Sequence, residues 1–261
     1  MSKEMSLLDH IDELRSKLVR ILISVVAITL FTFLFGIKEF NFGNLKIYLP
    51  FPDVYNNISA QFIERMKEDL LPDYVKLIVT SPGQAILAQF STSLFLGIIF
   101  SMPIIVWQIG KFVNPALYPS ERRMILKIIV PATILFFLGC VFSYILVTPF
   151  TFDFLYRYGI ALGAQTFVTI DDLISFVLLF TLAFGLSFQL PIIMVMLTSL
   201  GVVDAKVWKK NFSYAVVAII IFGAIITPDT SGITMWFVAI PMIILYVIGY
   251  LFVRRKVKVR P

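Results

Sequence analysis

Two carboxylates stand out because each sits in a segment otherwise dominated by cations. Glu13 lies in Leu7-Leu-Asp-His-Ile-Asp-Glu-Leu-Arg-Ser-Lys-Leu-Val-Arg20, and Glu121 in Phe112-Val-Asn-Pro-Ala-Leu-Tyr-Pro-Ser-Glu-Arg-Arg123. A pair of carboxylates beside an aromatic such as Phe112 suits an arginine-bearing ligand. Guanidinium meets carboxylate through two parallel hydrogen bonds, a geometry lysine does not reproduce. A plainer reading stands beside this one. Asp9, Asp12 and Glu13 oppose the dipole at a helix start, and Ser120 caps a helix whose first turn holds Glu121. Capping covers Ser120 and part of Glu121. Glu13 lies deeper than the dipole effect reaches well, and Phe112 is not addressed by it.

Other chemistry is scarce. There is one histidine, His10, and one cysteine, Cys140. These exclude an intramolecular disulfide, a cysteine-based zinc site and a multi-histidine site. No cluster of nucleophiles and bases points to an enzyme, and no phosphate-binding loop is present. No cofactor is expected. An ion-coupled small-molecule permease, the main alternative, would place ionisable residues inside its apolar stretches. The fourth such stretch has one large polar residue, Gln189, two positions before Pro191.

The elements that position these residues follow from composition. Of 261 residues, 59% are hydrophobic and 15% charged, with mean hydropathy +0.92. Soluble domains run at about 45–50% apolar and about 25% charged, so the chain belongs in lipid. Its net charge of +6 therefore concerns membrane orientation, and no nucleic-acid partner is expected. Apolar runs near 20 residues predict six spanning helices, over about 21–37, 85–109, 128–150, 173–200, 212–226 and 236–253. The first is read as a retained helix, since acidic residues precede it and no small-residue cleavage site follows. With the N-terminus inside, the inner segments hold 16 Lys and Arg in 57 residues and the outer ones 6 in 76. The positive-inside rule thus puts both termini in the cytoplasm.

Leu7, Ile11, Leu14 and Leu18 recur at helical spacing, which predicts an amphipathic helix running into the first span. In the outer loop from about 38 to 84, Ile58, Phe62, Met66 and Leu70 recur every four residues. They predict a capping helix over Asn57–Leu71, ended by Pro72. The fold expected is an all-α single membrane domain with a helical external cap. Its fifth and sixth spans are short and its fourth is long, bent near Pro191. Such unequal spans predict a concave bundle that thins the bilayer beside a wall exposing Gln189.

His10-Ile-Asp-Glu-Leu-Arg15, the Phe112–Arg123 block, Phe184-Gly-Leu-Ser-Phe-Gln-Leu-Pro191, Thr227-Pro-Asp229 and Ala239-Ile-Pro241 occur in that order. Together they resemble the TatC family, the multi-spanning receptor subunit of the twin-arginine protein translocase, from Leu7 to Phe252. The resemblance implies a cell-membrane protein that receives folded cargo proteins bearing a signal peptide with two adjacent arginines. It implies that Glu13 and Glu121 contact those arginines, with Leu14, Arg15, Phe112 and Arg122 forming or supporting the site. It implies assembly with single-span TatA-type and TatB-type subunits, several copies per complex, and transport driven by the protonmotive force. Gln189 departs from the glutamate common in this family, and the first external loop is longer. Gln189 carries no proton. It either contacts a partner helix, together with Pro191, or bonds within the bundle.

Overall fold

The architecture was determined from a computed structural model. It describes residues 7–42, 45–113, 119–227 and 232–258; for 7–10, 41–42, 45, 113, 119–127 and 256–258 it describes the backbone alone. These residues fall into two compact units, 1–130 with 167–174, and 131–166 with 175–261.

In the first unit, α1 (Leu7–Leu34) runs directly into a hairpin of β1 (Phe35–Phe42) and β2 (Leu45–Pro52). There follow α2 (Ile58–Leu70), the short strand β3 (Lys76–Ile78) and α3 (Gln84–Val113). α1 and α3 pack antiparallel. Thr32 Oγ1 donates to Ser93 O at 3.4 Å, and a Cβ on Gly97 would collide with Thr29 Oγ1 and the Val25 carbonyl. Glycine and hydroxyl residues at this contact let the backbones close in, as is usual between helices in lipid.

Asn57 knots together the end of this unit remote from Glu13. Fully buried, it caps α2 by accepting from Ala60 N at 2.8 Å and from Ser59 Oγ at 2.6 Å. Its Nδ2 donates to Phe33 O at 2.9 Å, Val54 O at 3.1 Å and Gln89 Oε1 at 3.1 Å. One amide thus joins the end of α1, the start of α2 and α3. α2 matches the helix expected in the outer loop, and Leu71 before Pro72 turns extended, as pre-proline residues do. Its buried face is Ser59, Ile63, Met66 and Leu70, rotated by one position from the every-fourth stripe at its start.

The hairpin corrects the all-α expectation. Antiparallel pairing runs from Phe35↔Pro52 to Phe42↔Leu45. A second, two-stranded parallel pair joins β3 to β4 (Phe167–Thr169). The chain is mostly helical rather than all-helical. The reason is local: alternating aromatic and aliphatic residues on either side of Gly43-Asn44 favour strands over a helix. Asp53 closes the hairpin base. Its N–H donates to Leu34 O at 3.1 Å, and its carboxylate accepts from Asn56 N at 3.0 Å and pairs with Lys38 at 2.9 Å.

The second unit holds the second half of α4 (Pro119–Phe142), a π-helical turn (Ser143–Val147), α5 (Thr148–Ala161), most of α6 (Ile170–Ser187), α7 (Leu190–Ser199), α8 (Ala205–Lys210), α9 (Phe212–Ile226) and α10 (Ile233–Lys258). The π turn precedes Pro149, whose missing N–H breaks the regular ladder. Among the described residues, five helical stretches are long and apolar enough to span a bilayer: Ile11–Leu34, Gln84–Phe112, Ile128–Ala161, Ile170–Ser199 and Ile233–Arg255. α9, with 15 residues, is the short apolar helix expected at the fifth span.

Several boundaries differ from the sequence expectation. The first span ends at Leu34, because Phe35–Ile37 join β1. The third continues through Asp153 and Arg157, whose i,i+4 ion pair at 2.8 Å supports the added turns. The sixth is not short: α10 has 26 residues, since Arg254, Arg255 and Lys256 extend the helix where cations favour its C-terminus. The break in the fourth span falls at Phe188–Gln189, with Pro191 just inside α7. α4 begins at Pro119, so Ser120 lies within its first turn rather than capping it.

Replacing Asn57 with Ala removes a cap, about 1 kcal/mol, and strands buried acceptors at about 1–3 kcal/mol. Thermal unfolding in detergent should show a loss of about 2–4 kcal/mol, and an unchanged midpoint would refute the knot. The Asn56 N–H and Lys38 hold the Asp53 carboxyl below the usual carboxylate range. A depressed folded value contributes stability above the unfolded value, near about 3.9, and this is lost as pH falls through the folded value. Amide-exchange protection at the hairpin base should therefore fall below about pH 4 in the native chain, with a flatter profile in Asp53→Asn.

Candidate functional site

The first turns of α1 carry Glu13, Leu14 and Arg15. Glu13 is half-buried, with its Oε1 3.5 Å from Lys17 Nζ; Lys17 is the more covered of the pair. The apolar stripe of this amphipathic helix is exposed: Ile11 at 59%, Leu14 at 40% and Leu18 at 54%. In lipid the inside-outside rule of soluble helices inverts, and polar or small residues make the contacts. The covered side at this end carries Glu13, Lys17 and Ile21, while Arg15 is exposed.

Phe112 lies in the last turn of α3 and is half-buried. Extending the antiparallel register from Val25 beside Gly97 brings Glu13 level with Ile109, within about one turn of Phe112. The start of α1 and the end of α3 thus meet at one end of the first unit. Glu121 and Arg122 lie in the first turn of α4; their side chains are outside the described residues, as is His10's.

Sequence reasoning passed over three neighbours on α3. Lys111 Nζ sits 4.9 Å over the Trp107 ring. Gln108 is buried with its Oε1 lacking a hydrogen-bond partner among the described residues. An amide inside an apolar run, four residues before Phe112, was the signal that could have found it.

Gln189 occupies the break between α6 and α7. Its Nε2 donates to Ala132 O of α4 at 3.0 Å, which realises bonding within the bundle. The break is packed by rings: Phe142 lies 5.7 Å from Phe184 and 5.6 Å from Phe188. α4 and α6 approach closely enough that a Cβ on Gly139 would stand 2.6 Å from Phe184 O. Pro191 is buried, its Cα 3.0 Å from where a Cβ on Gly249 of α10 would be. Among the described residues no group of three or more His, Cys, Asp and Glu forms a metal site.

Residues 9–241 match the family model "Sec-independent protein translocase protein (TatC)". The chain belongs to the TatC family. It is 44% identical over 253 residues to the Sec-independent protein translocase protein TatC of Cenarchaeum symbiosum (strain A), covering 97% of this chain and 96% of that one. Against the TatC of Aquifex aeolicus (strain VF5) identity is 33% over 263 residues, covering 98% and 99%. A crystal structure of the twin-arginine translocase receptor TatC superposes with a TM-score of 0.78 at 29% identity, covering 95% of this chain and 99% of that chain. TatC is the receptor component of the twin-arginine translocase, a multi-pass membrane protein and not an enzyme.

Gln189→Leu should lose the bond to Ala132 at a cost of about 0.5–1.5 kcal/mol. Thermal unfolding of the purified protein measures it. A cost near zero would mean that ring packing alone holds the break.

Proposed function

We propose that the basic end of α1, α3 and α4 binds the twin-arginine signal peptide of folded cargo proteins on the cytoplasmic side of the cell membrane. The observation carrying this reading is Glu13, a half-covered carboxylate held near Lys17 at 3.5 Å, on a level close to Phe112. An incoming guanidinium competes with Lys17 for that carboxylate, and two hydrogen bonds favour the guanidinium over one ammonium contact. Glu121 supplies the second carboxylate. Phe112 and the exposed Leu14 take the apolar part of the peptide, and Arg15 and Arg122 position the acidic pair by charge.

In this reading the chain spans the membrane six times with both termini inside. It assembles in several copies with TatA-type and TatB-type single-span subunits, and the protonmotive force drives transport. The Lys and Arg distribution supports the orientation. Gln189 offers its Oε1 to a partner helix while its Nε2 holds Ala132. Pro191, buried, sets the helix start that presents it. α9 covers about 23 Å of a hydrocarbon core near 30 Å, so the bilayer thins beside it, at the concave wall expected of unequal spans. Depth-resolved spin labels around α9 test the thinning; uniform thickness rules it out.

Peptide binding to the purified chain tests the receptor site. Glu13→Ala and Glu121→Ala should each weaken a twin-arginine peptide by about tenfold or more, as loss of a charged hydrogen bond does. Replacing the peptide arginines with lysines should also weaken it. If both protein variants bind as the native chain does, the assignment fails; equal affinity for the lysine peptide rejects the bidentate geometry.

A further inference from the structure

A second cationic feature lies in the other unit. α8 (Ala205–Lys210) carries Lys206, Lys209 and Lys210, all exposed. The spacing i, i+3, i+4 sets three ammonium groups on one face of a single short helix, where like charges oppose helix formation. None of the three forms an ion pair among the described residues. Asp204 is the one carboxylate in segment 201–211.

α8 is firmly fixed. Trp208 Nε1 donates to Thr198 Oγ1 at 2.9 Å, and Tyr246 Oη donates to the Trp208 carbonyl at 2.9 Å. α9 starts on the same level, its Phe212 ring 5.8 Å from that of Tyr246. α9 then runs antiparallel to α10, with Gly223 beside Met235. Lys209 and Lys210 are therefore level with Tyr246. α10 continues past that level for eight residues to Arg254, about 12 Å of helix. Val247, Ile248, Leu251 and Phe252 along this stretch are apolar and exposed. The exposed apolar surface of α10 thus extends about 12 Å beyond the lysines before Arg254 and Arg255 end it. The four-carbon stem of lysine spans about half of that. Unpaired ammonium groups do not rest in hydrocarbon, and anionic headgroups that come down to them answer their charge where water alone does not.

We propose that Lys206, Lys209 and Lys210 form a recessed site for the phosphate of an anionic phospholipid, which draws the headgroup layer inward beside α9. The site rests on the thinning reading above and names the residues that hold the thinned edge. Charge selects an anionic lipid over a zwitterionic one, with about fivefold in affinity per lysine.

The test is native mass spectrometry of the full chain equilibrated with vesicles of mixed phosphatidylglycerol and phosphatidylcholine. The native chain should retain phosphatidylglycerol preferentially. The variant Lys206→Gln/Lys209→Gln/Lys210→Gln should lose roughly 100-fold in that preference, and each single variant about fivefold. Arg254→Gln/Arg255→Gln should lose less than the triple variant. Equal retention by native and triple-variant chains overturns the site, as does release of the lipid by inorganic phosphate alone. Twin-arginine peptide binding, on the other unit, should be unchanged in the triple variant, which also shows that it folds. Uniform bilayer thickness around α9 together with the lysine-dependent retention removes the thinning and leaves the lipid site.

Discussion

Hydrocarbon offers no hydrogen bonds, so wherever this chain departs from a regular α-helix inside the membrane, another part of the chain must answer the freed groups. That constraint orders the structure. The π turn before Pro149 and the break at Phe188–Gln189 are departures of this kind. At the second, the Gln189 amide reaches Ala132 O, and the rings of Phe142, Phe184 and Phe188 exclude lipid from the gap. At the end of the first unit remote from Glu13, Asn57 performs the equivalent service for three elements at once, giving two acceptor contacts and three donor contacts from one buried side chain. A hydrophobic residue of the same volume would fill either space and satisfy nothing.

The same constraint explains which faces touch. With lipid as apolar as leucine, no gain follows from turning leucines inward, so α1 and α3 meet through Thr29, Thr32, Ser93 and Gly97 while Ile11, Leu14 and Leu18 point away. Glu13 and Lys17 inherit the covered side. A receptor carboxylate gains from this placement. Partial cover strengthens its electrostatics relative to open water, and Lys17 stands 3.5 Å away as its present partner.

Much of the fold was legible because apolar runs and Pro or Asn punctuation report directly on helices in lipid. Six apolar helices and α2 were found that way; the capping role of Asn57 came only with the structure. The misses have physical causes. The β1–β2 hairpin alternates as a strand pair does, but lies in a loop where the eye follows charge and helical period. α10 outran its apolar run because arginine and lysine are good helix formers, so charge ends a span without ending a helix. The spacing of Ile11, Leu14 and Leu18 marked α1 as amphipathic without saying which face is covered, because between helices in lipid polar and small residues make the contacts. At the candidate site, Glu13 and Phe112 were legible through residue type and position. Gln108 was passed over: its amide inside an apolar run is visible in the sequence, but only its burial shows that the group is covered.

Cations divide into two kinds by depth. Arg254 and Arg255 close an apolar helix. Lys206, Lys209 and Lys210 are fastened, through Trp208 and Tyr246, some eight residues of helix short of those arginines. Charge counting along the sequence treats both as orientation signals of equal weight. The antiparallel register of α9 on α10 separates them, because a 15-residue helix and a 26-residue helix that share an outer end cannot share an inner one. The mismatch must be absorbed by water, by lipid or by a partner. Basic side chains at the short end favour the phosphate layer, which is the basis of the lipid site proposed for Lys206, Lys209 and Lys210.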